Sequence, residues 1–365
     1  MLQVGLVGLP NVGKSTLFNA LSKKMVPSDN YPFCTIEPNI AIVEYEDERV
    51  DYISKIYNSQ KTVKPSIEFV DIAGLVKGAS KGEGLGNKFL DNISKVDAIA
   101  HIVRAFDDDN ISHVSGTIDP IFDAEVVDLE LIQKDIDTID KRYEKTFKLA
   151  RTGNKDAKYE CSLLEDLKKH LETSNPSRTF KETRTDKDIE IIKSLFLITE
   201  KPVIYVANVD EEGLTKDNEY VIKLKEYAKN KNANFYKISA KLEMDLIELD
   251  DEEKEIFMEE FNIKGNLIDN FVKLCKDTLN LITFITGTEN ESKSWNVLKG
   301  ITAYDAAGKI HTDIQSGFIK AEVINFEELK SIGSFKDAKE KGKVSIEGKD
   351  YVLKEGDCVY FHFHV

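Results

Sequence analysis

Six short apolar runs, rich in valine and isoleucine, recur along the first two thirds of the chain. Helical or loop segments separate them, and they occupy residues 2–7, 40–45, 67–72, 98–103, 203–207 and 235–238. Continuous apolar runs of this length are typical of strands buried on both faces, as in parallel sheets covered by helices. The pattern predicts an α/β domain with a mainly parallel sheet and helices on both faces.

The long interval between the fourth and fifth runs has a helical period. Apolar residues recur there at spacings of three and four, at Ile132, Ile136, Ile139, Tyr143, Phe147 and Ala150, and again at Leu164, Leu167 and Leu171. Gly153-Asn154 separates the two series, so we predict two helices joined by a tight turn and packed along a coiled-coil-like seam. Asn175-Pro176 ends the second helix, and Lys201-Pro202 marks the return to the sheet.

Short alternating strands follow from residue 281 onward. They are predicted at Leu281 to Thr286, Phe318 to Ile324, Lys343 to Ile346 and Val359 to Val365. A compact β-rich domain with one or two helices fits this pattern. Nothing in it looks catalytic, and His311 is expected to be structural or to contact a partner, so this domain is interpreted as a binding module.

The stretch Gly8 to Ser15 carries the most specific chemistry in the chain. It reads Gly-Leu-Pro-Asn-Val-Gly-Lys-Ser, follows the first apolar run and precedes the amphipathic stretch Thr16 to Leu21. G-x-x-x-x-G-K-[ST] between a strand and a helix is a P-loop, whose backbone N–H groups face a polyphosphate. Lys14 is expected to reach the β- and γ-phosphates, and the Ser15 hydroxyl to ligate Mg²⁺. We therefore expect a nucleoside triphosphate here, rather than a glycine turn without a ligand.

Two further segments are candidates to sense the γ-phosphate. Asp71-Ile72-Ala73-Gly74 ends the third apolar run, so Asp71 can hold Mg²⁺ through water and Gly74 can donate its N–H to the γ-phosphate. Between this motif and the P-loop, the proline-broken stretch 31–35 ends in Thr35, whose hydroxyl can complete the magnesium shell. The alternative is that Thr35 is an ordinary loop threonine.

The base-reading segment departs from the guanine-specific pattern N-K-x-D. The fifth apolar run ends in Asn208-Val209-Asp210-Glu211, so Val209 replaces the lysine that packs on guanine. Glu211 replaces the aspartate that accepts the N1–H and N2 amino groups, and Asp210 is one residue out of register. Adenine offers an N6 donor and an N1 acceptor instead, so this segment favours adenine. A second loop, 238–241, fits the other base-contacting position. The predicted base-contacting residues are Asn208, Val209, Glu211, Ser239 and Ala240.

Catalysis depends on the residue that follows Gly74. Some P-loop enzymes place a glutamine there to orient the attacking water, whereas this chain has Leu75. Either another group orients the water or the intrinsic rate is slow. The glycine- and lysine-rich stretch 76–86 is either a loop that orders on nucleotide or partner binding, or a surface loop without catalytic groups. Asn11 either helps to coordinate a potassium ion that bridges the phosphates or only shapes the P-loop.

Five motifs resemble those of the Obg-like ATPase (YchF-type) family, and the resemblance extends over essentially the whole chain. They lie at 8–16, 31–39, 71–90, 208–211 and 306–313. The resemblance implies a Ras-like P-loop NTPase domain (1–124 and 201–278), a helical hairpin insertion (125–200) and a C-terminal β-grasp (TGS) domain (279–365). It also implies hydrolysis of ATP in preference to GTP, a hydrophobic residue in place of the catalytic glutamine, and association with the ribosome.

The resemblance carries specific roles onto this sequence. It implies magnesium ligation by Ser15 and Thr35. The catalytic residues are then Lys14, Asp71, Gly74 and Leu75, and the phosphate-binding residues are Asn11, Val12, Gly13, Lys14, Ser15 and Thr16. Two alternatives stay open: a GTP-hydrolysing ribosome-assembly factor, and an adaptor that is regulated by ATP occupancy with negligible hydrolysis.

Composition narrows the class of protein. The chain has 365 residues, of which 41% are hydrophobic and 32% charged, as in a soluble protein of two or three domains. Its start lacks a signal-peptide pattern, and no apolar run is long enough to span a bilayer. The four cysteines are scattered and form no C-x-x-C, so they indicate neither a zinc site nor a disulfide framework. We expect a cytoplasmic protein without a membrane partner.

Charge is distributed unevenly along the chain. The net charge of −15 argues against general affinity for nucleic acid, DNA included. Residues 141–158, at the predicted hairpin tip, nevertheless hold seven basic and two acidic residues, whereas 243–260 hold ten acidic residues and one lysine. The tip is therefore either an RNA-contacting surface or a solvated helical face. The family resemblance favours contact with the ribosome or ribosomal RNA through the hairpin and the TGS domain.

Overall fold

A computed structural model describes residues 2–25, 39–72, 85–108, 117–181, 183–260 and 265–364. The chain divides into two compact units. The first comprises Met1–Lys23, Glu37–Ala41 and Glu68–Ile268, and the second comprises Lys24–Ile36, Ile42–Ile67 and Asp269–Val365.

The strands of the described residues form two six-stranded sheets. Their bounds are β1 (Gln3–Val7), β2 (Ile40–Glu44), β3 (Lys61–Val63), β4 (Ser66–Asp71), β5 (Ala98–Arg104), β6 (Val203–Asn208), β7 (Asn234–Ile238), β8 (Leu281–Gly287), β9 (Glu291–Leu298), β10 (Phe318–Asn325), β11 (Ser345–Glu347) and β12 (Asp357–Phe363). The spatial orders are β2-β4-β1-β5-β6-β7 and β11-β10-β12-β8-β9-β3.

The helices of the described residues vary widely in length. Their bounds are α1 (Lys14–Lys23), α2 (Glu48–Tyr57), α3 (Leu85–Lys95), α4 (Pro120–Ala150), α5 (Lys155–Glu172), α6 (Asp186–Leu195), α7 (Glu211–Thr215), α8 (Glu219–Asn230), α9 (Ala240–Glu248), α10 (Asp251–Glu260), α11 (Leu267–Thr278), α12 (Ala303–Ile310), α13 (Thr312–Ser316), α14 (Phe326–Ile332) and α15 (Phe335–Glu340). Short 3₁₀ turns lie at Ser177–Thr179 and Ile198–Glu200. None of the helices in the described ranges is both long and apolar enough to cross a membrane.

The first sheet is parallel from β4 to β7, since β1 pairs with β4 and β5, and β6 pairs with β5 and β7. β5 and β6 are buried at every position, which is why they appear in the sequence as continuous apolar runs. The predicted α/β fold is confirmed. In a parallel sheet all strands end at the same edge, so the segments after β1, β4, β5, β6 and β7 are brought together there.

α4 and α5 form the predicted helical hairpin. Asp119 caps α4 through bonds from the N–H groups of Ile121 and Phe122, and Pro120 occupies its first turn. The turn between the helices contains Gly153 at φ +94°, and Asn154 caps α5. The buried seam joins α4 to α5, α6 and the segment around residue 180, through Ile132, Ile139, Leu163, Leu164, Leu167, Leu171, Phe180, Ile192, Leu195 and Leu197.

The seam prediction was wrong for Phe147. This side chain is 44% exposed and stacks on Tyr143 with ring centroids 5.6 Å apart. Thr146 takes the inward position instead, and its hydroxyl lies 3.3 Å from Glu160 Oε1. Because an α-helix has 3.6 residues per turn, a fixed repeat of apolar positions gradually rotates around a long helix. At the end of α4 the inward-facing residue is therefore one position earlier than predicted. The additional helix α6 was not predicted.

The second sheet has the topology of a β-grasp fold, as predicted. β8 and β9 form an antiparallel hairpin, β12 runs parallel to β8, and β10 is antiparallel to β12. α12 connects β9 to β10 and places Ala303, Ala306 and Ala307 in the core with Phe284 and Phe361. β9 was not predicted, because its inward positions Ser292 and Ser294 are polar.

Residues 42–67 group with the C-terminal part of the chain. Val50 and Ile53 of α2 share a buried core with Ile285, Ile324 and Cys358. β3 also pairs with β9. The predicted boundaries placed this stretch in the nucleotide-binding domain, because no composition change marks it. Those boundaries stay a prediction.

Candidate functional site

The P-loop lies between β1 and α1, in the local context that its motif requires. A Cβ atom on Gly8 would lie 2.6 Å from the carbonyl oxygen of Ile102, so a side chain cannot be accommodated there. Gly13 adopts φ +91°, and its Cβ would lie 2.1 Å from Nδ2 of Asn208. Asn11 also has a positive φ of 64°, which asparagine tolerates better than most residues. The loop therefore needs both glycines.

Lys14 and Asp71 meet at the edge of the sheet. Asp71 is the last residue of β4 and pairs with Leu6 of β1, just before the P-loop begins. The Lys14 ammonium forms an ion pair with the Asp71 carboxylate. Ser15, in the first turn of α1, is exposed. The Ser15 hydroxyl and the Asp71 carboxylate are hard oxygen ligands of the kind that Mg²⁺ prefers, so the donor set at this edge fits that ion.

Three predicted site residues lie outside the described residues. They are Thr35, Gly74 and Leu75. The geometry of the predicted γ-phosphate sensor and of the second magnesium ligand is therefore described only at Asp71 and Ser15. The roles of these three residues stay predictions.

Asn208 connects three loops at the carboxyl edge of the sheet. Its side chain is buried, and its Nδ2 donates to the carbonyl oxygen of Val12 over 2.9 Å. Its Oδ1 accepts from the N–H of Ala240 over 3.0 Å. Its backbone carbonyl accepts from the N–H of Ala105 over 2.8 Å. One asparagine thus fixes the P-loop against the segments that follow β5 and β7.

The residues after Asn208 do not present the guanine-reading pattern. Val209 is buried, at 2% exposure, against Gly213 of α7. Asp210 caps α7, since its Oδ1 accepts from the Gly213 N–H over 2.8 Å. Glu211 lies 4.0 Å from the ammonium of Lys241. Of the two carboxylates, one is engaged with backbone and the other lies beside a cation.

Ser239 and Ala240 begin α9 and complete this edge. Ser239 is buried and caps the helix through a bond from the Leu242 N–H to its Oγ, over 3.4 Å. Ala240 is also buried, and its backbone N–H is the group that Asn208 holds. The 239–240 loop is therefore set by backbone contacts rather than by long side chains.

These segments enclose one cavity of about 470 Å³. The P-loop contributes one end of the wall, and the segments after β5, β6 and β7 contribute the rest. The lining residues are Asn11, Gly13, Thr16, Phe106, Asp107, Asp108, Asn208, Val209, Asp210, Glu211, Ser239, Ala240 and Lys241. All five predicted base-contacting residues thus line the cavity, together with Asn11, Gly13 and Thr16 of the predicted phosphate-binding set. Val12, Lys14 and Ser15 do not line it. The volume suits a small organic ligand.

Phe106, Asp107 and Asp108 were not predicted. They follow β5 at the same edge of the sheet, so their position after the fourth apolar run was the signal that could have found them. Tyr220 donates its hydroxyl to Asp107 Oδ1 over 3.1 Å, and burial together with this carboxylate raises the pKa of Tyr220. The segment therefore adds an aromatic ring and two carboxylates to the cavity wall.

A second candidate surface lies at the hairpin tip. All seven basic side chains of 141–158 are exposed, at Lys141, Arg142, Lys145, Lys148, Arg151, Lys155 and Lys158. Arg142 pairs with Glu160 at 2.6 Å. Phe147 and Leu149 are also exposed, at 44% and 57%. The tip therefore combines positive charge with apolar surface.

The fold and the cavity define a P-loop nucleotide-binding protein. A parallel sheet, a glycine loop entering a helix, and an aspartate at the end of the neighbouring strand form the phosphate end. Family models agree with this class. Residues 3–147 match a model described as 50S ribosome-binding GTPase. Residues 281–364 match the YchF GTPase C-terminal model, described as a protein of unknown function (DUF933).

Full-length relatives identify the family. The chain is 48% identical over 366 residues to the "Ribosome-binding ATPase YchF" of Bacillus subtilis, with 100% of both chains covered. It is 45% identical to the protein of the same name from Escherichia coli O157:H7, with 99% of both covered. The solved structure of the Schizosaccharomyces pombe YchF GTPase is 36% identical, with a TM-score of 0.88, and the match covers 99% of this chain and 97% of that one. The chain belongs to the YchF family.

Proposed function

We propose that the chain is a Mg²⁺-dependent ATP hydrolase that prefers ATP to GTP and acts as a nucleotide-controlled switch on the ribosome. The observation that carries this proposal is the single cavity that joins the P-loop to a base-reading segment without the guanine pattern. The names of the relatives, "Ribosome-binding ATPase YchF", support both the reaction and the partner.

The base preference follows from the carboxylates of the cavity. Guanine needs an acceptor for two donors, N1–H and the N2 amino group. Asp210 Oδ1 is engaged with the Gly213 N–H, and Glu211 lies beside Lys241. Turning Asp210 toward guanine would cost its helix-capping bond, and Glu211 is one methylene longer than the aspartate of the guanine pattern. Adenine, with an N6 donor and an N1 acceptor, does not require that arrangement.

The phosphate end supplies charge and metal ligands. Lys14 would exchange its contact with Asp71 for the β- and γ-phosphates, and Ser15 and Thr35 would ligate Mg²⁺, with Asp71 holding it through water. Bound Mg²⁺ neutralises charge that develops on the phosphates. Asn11 would either bind a potassium ion or shape the loop, and the conformation of this residue at φ 64° supports the second role.

Leu75 implies a slow intrinsic reaction. An apolar side chain cannot orient the attacking water, so turnover would depend on another group or on a partner. Gly74 would report the γ-phosphate to the residues that follow it. This arrangement suits a switch, whose state is set by bound nucleotide, better than a fast metabolic enzyme.

The ribosome is the proposed partner, which places the protein in the cytoplasm. The exposed basic tip of the hairpin suits the phosphates of ribosomal RNA, and the β-grasp domain is proposed as a second binding module. The description of the matching family model as a GTPase keeps a GTP-hydrolysing ribosome-assembly factor as the second candidate. An adaptor controlled by ATP occupancy alone is the third.

Single-turnover hydrolysis of ATP and of GTP, with and without ribosomes, separates the three. The proposal expects slow ATP hydrolysis that ribosomes accelerate. GTP hydrolysed faster than ATP would favour the assembly factor, and binding without hydrolysis under either condition would favour the adaptor. Parallel reactions in potassium and in sodium salts test whether Asn11 coordinates potassium. If the rates of ATP hydrolysis are equal in the two salts, Asn11 only shapes the loop.

A further inference from the structure

Arg104, the last residue of β5, is a fully buried cation that holds the backbone beside the cavity. Its side chain is 1% exposed. Its Nε donates to the carbonyl oxygen of Phe106 over 3.1 Å, and its Nη2 donates to that of Asp108 over 3.0 Å. Its guanidinium carbon also lies 4.9 Å from the centre of the Phe106 ring. A planar fork of donors is suited to fix two carbonyl groups at once, which a lysine ammonium is not.

The segment 105–108 is held from a second side by α8. Asn218, which caps that helix, donates through Nδ2 to the carbonyl oxygen of Ala105 over 2.8 Å. Tyr220 donates to the Asp107 carboxylate over 3.1 Å. Phe106, Asp107 and Asp108 of this segment line the cavity wall.

The segment 105–108 faces the nucleoside end of the cavity. Asn11, Gly13 and Thr16 of the P-loop occupy the phosphate end. The remaining lining residues follow β5, β6 and β7, and they surround the space left for base and ribose. Arg104 itself does not line the cavity. Any effect that it has on the nucleotide must therefore act through the segment that it holds.

We propose that Arg104 is a positioning residue of the nucleotide site, which fixes residues 106–108 as the wall at the nucleoside end. This inference rests on the proposed function. Removing the guanidinium releases two carbonyl groups and one face of the Phe106 ring, so the wall loosens and nucleoside contacts weaken. Contacts of the triphosphate with the P-loop are unaffected.

The test compares a ligand that uses the wall with one that does not. Dissociation constants for ATP and for inorganic tripolyphosphate, both with Mg²⁺, are measured for the parent and for Arg104→Met. The expected result is a roughly tenfold weaker ATP affinity, the scale of one lost charge-assisted hydrogen bond. Tripolyphosphate affinity and kcat stay at the parent values, while KM for ATP rises with the dissociation constant.

Arg178 offers a matched control. Its guanidinium also donates to backbone carbonyl groups, those of Lys231 and Thr199, but it does not line the nucleotide cavity. Arg178→Met should lower the melting temperature without changing the ratio of ATP affinity to tripolyphosphate affinity. If Arg104→Met does not fold, Arg104→Lys keeps the buried charge and one donor, and a selective loss of about threefold for ATP is expected.

Two results would overturn the inference. One is ATP affinity equal to that of the parent in the folded Arg104 variant. The other is an equal loss for ATP and tripolyphosphate, which would indicate general damage to the site. Both results leave the proposed function standing, because that function is tested on the parent itself, by its hydrolysis of ATP and its preference for ATP over GTP.

Discussion

Asn208 donates from its buried side-chain amide to the carbonyl oxygen of Val12, 2.9 Å away. The two residues are 196 positions apart in the sequence, yet this bond fixes the P-loop to the end of β6. The same side chain holds the N–H of Ala240. The phosphate end and the base end of the cavity therefore share one anchor, so the shape of either end depends on Asn208.

Asn208→Ala should weaken nucleotide binding and destabilise the first unit. It leaves the Val12 carbonyl and the Ala240 N–H without their partner, at a cost of about 1–3 kcal/mol for buried groups. Calorimetric titration with ATP and thermal unfolding measure the two effects. Asn175→Ala, at an asparagine that lies outside the cavity and bonds to Thr173 and Lys231, is the control and should leave ATP affinity unchanged. Unchanged ATP affinity in Asn208→Ala would contradict the anchor role.

Lys14→Ala and Ser15→Ala should abolish ATP hydrolysis, the first by removing phosphate charge neutralisation and the second by removing a magnesium ligand. Lys23→Ala changes an exposed lysine at the other end of the same helix and should be silent. Leu75→Ala should leave nucleotide binding intact. Phosphate release under single-turnover conditions measures hydrolysis in the Lys14 and Ser15 variants, and titration with ATP measures binding by the Leu75 variant. Full activity in Lys14→Ala would contradict the P-loop assignment.

His101 should make stability depend on pH in the acid range. Burial lowers the pKa of His101 from 6.5 to about 4, although the nearby Asp128 carboxylate opposes the shift. The unfolded chain binds a proton between these values and the folded chain does not, so stability is complete above pH 6.5 and falls as the pH approaches 4. Over this pH range, the titration of His101 lowers the free energy of unfolding by about 3 kcal/mol.

Denaturant unfolding from pH 7.5 to 4 tests this dependence. Other acid-titrating groups such as Glu355 add their own loss, so the informative quantity is the difference between the parent and His101→Gln. That difference should shrink as the pH falls from 6.5 to 4. His311→Gln, at a side chain that is 62% exposed, is the control. A difference that stays constant with pH would contradict the buried neutral state of His101.

Much of the fold could be predicted because its signals are local. The apolar runs of β5 and β6 and the apolar period of α4 and α5 arise because buried positions carry apolar residues. Residue type alone therefore indicates these elements. The wall formed by Phe106 to Asp108 could not be found in this way. Its neighbours in the cavity come from loops about a hundred positions away, so the position of this segment after the fourth apolar run is the one signal that the sequence carries for it. Phe147 was wrongly placed on the inward face for a different reason. The inward position there is occupied by Thr146, whose polar side chain is buried and hydrogen-bonded.

Charge reversal at the hairpin tip should weaken ribosome binding. Lys145, Lys148 and Arg151 are exposed, so replacing all three by glutamate leaves the buried seam intact. Binding to RNA phosphates releases counterions, so the parent should lose affinity as salt rises and the triple variant should show a flatter dependence. Cosedimentation with ribosomes across a salt series measures this, and basal ATP hydrolysis should not change.

A matched control reverses three exposed lysines of α8, Lys223, Lys225 and Lys229. It changes the net charge by the same amount away from the hairpin tip. Loss in the tip variant alone would locate the contact there. Equal cosedimentation of the tip variant and the parent at every salt concentration would show that the tip is a solvated face.

Restoring the guanine pattern should move the base preference. Glu211→Asp shortens the carboxylate that lies beside Lys241, and Val209→Lys supplies the missing lysine stem. The pair should shift the preference toward GTP by roughly 1–3 kcal/mol if a two-pronged carboxylate contact is recovered. Val209 is buried against α7, so Glu211→Asp alone is measured first and separates a change of base contact from a disturbance of packing.

Competition between ATP and GTP for the purified parent protein tests the central claim most directly. With Mg²⁺ present and a fluorescent ATP analogue bound, each unlabelled nucleotide is titrated to displace it. The account predicts that ATP displaces the analogue at a lower concentration than GTP, because Val209 and Glu211 replace the lysine and the aspartate of the guanine-reading pattern. Displacement by GTP at an equal or lower concentration would contradict it.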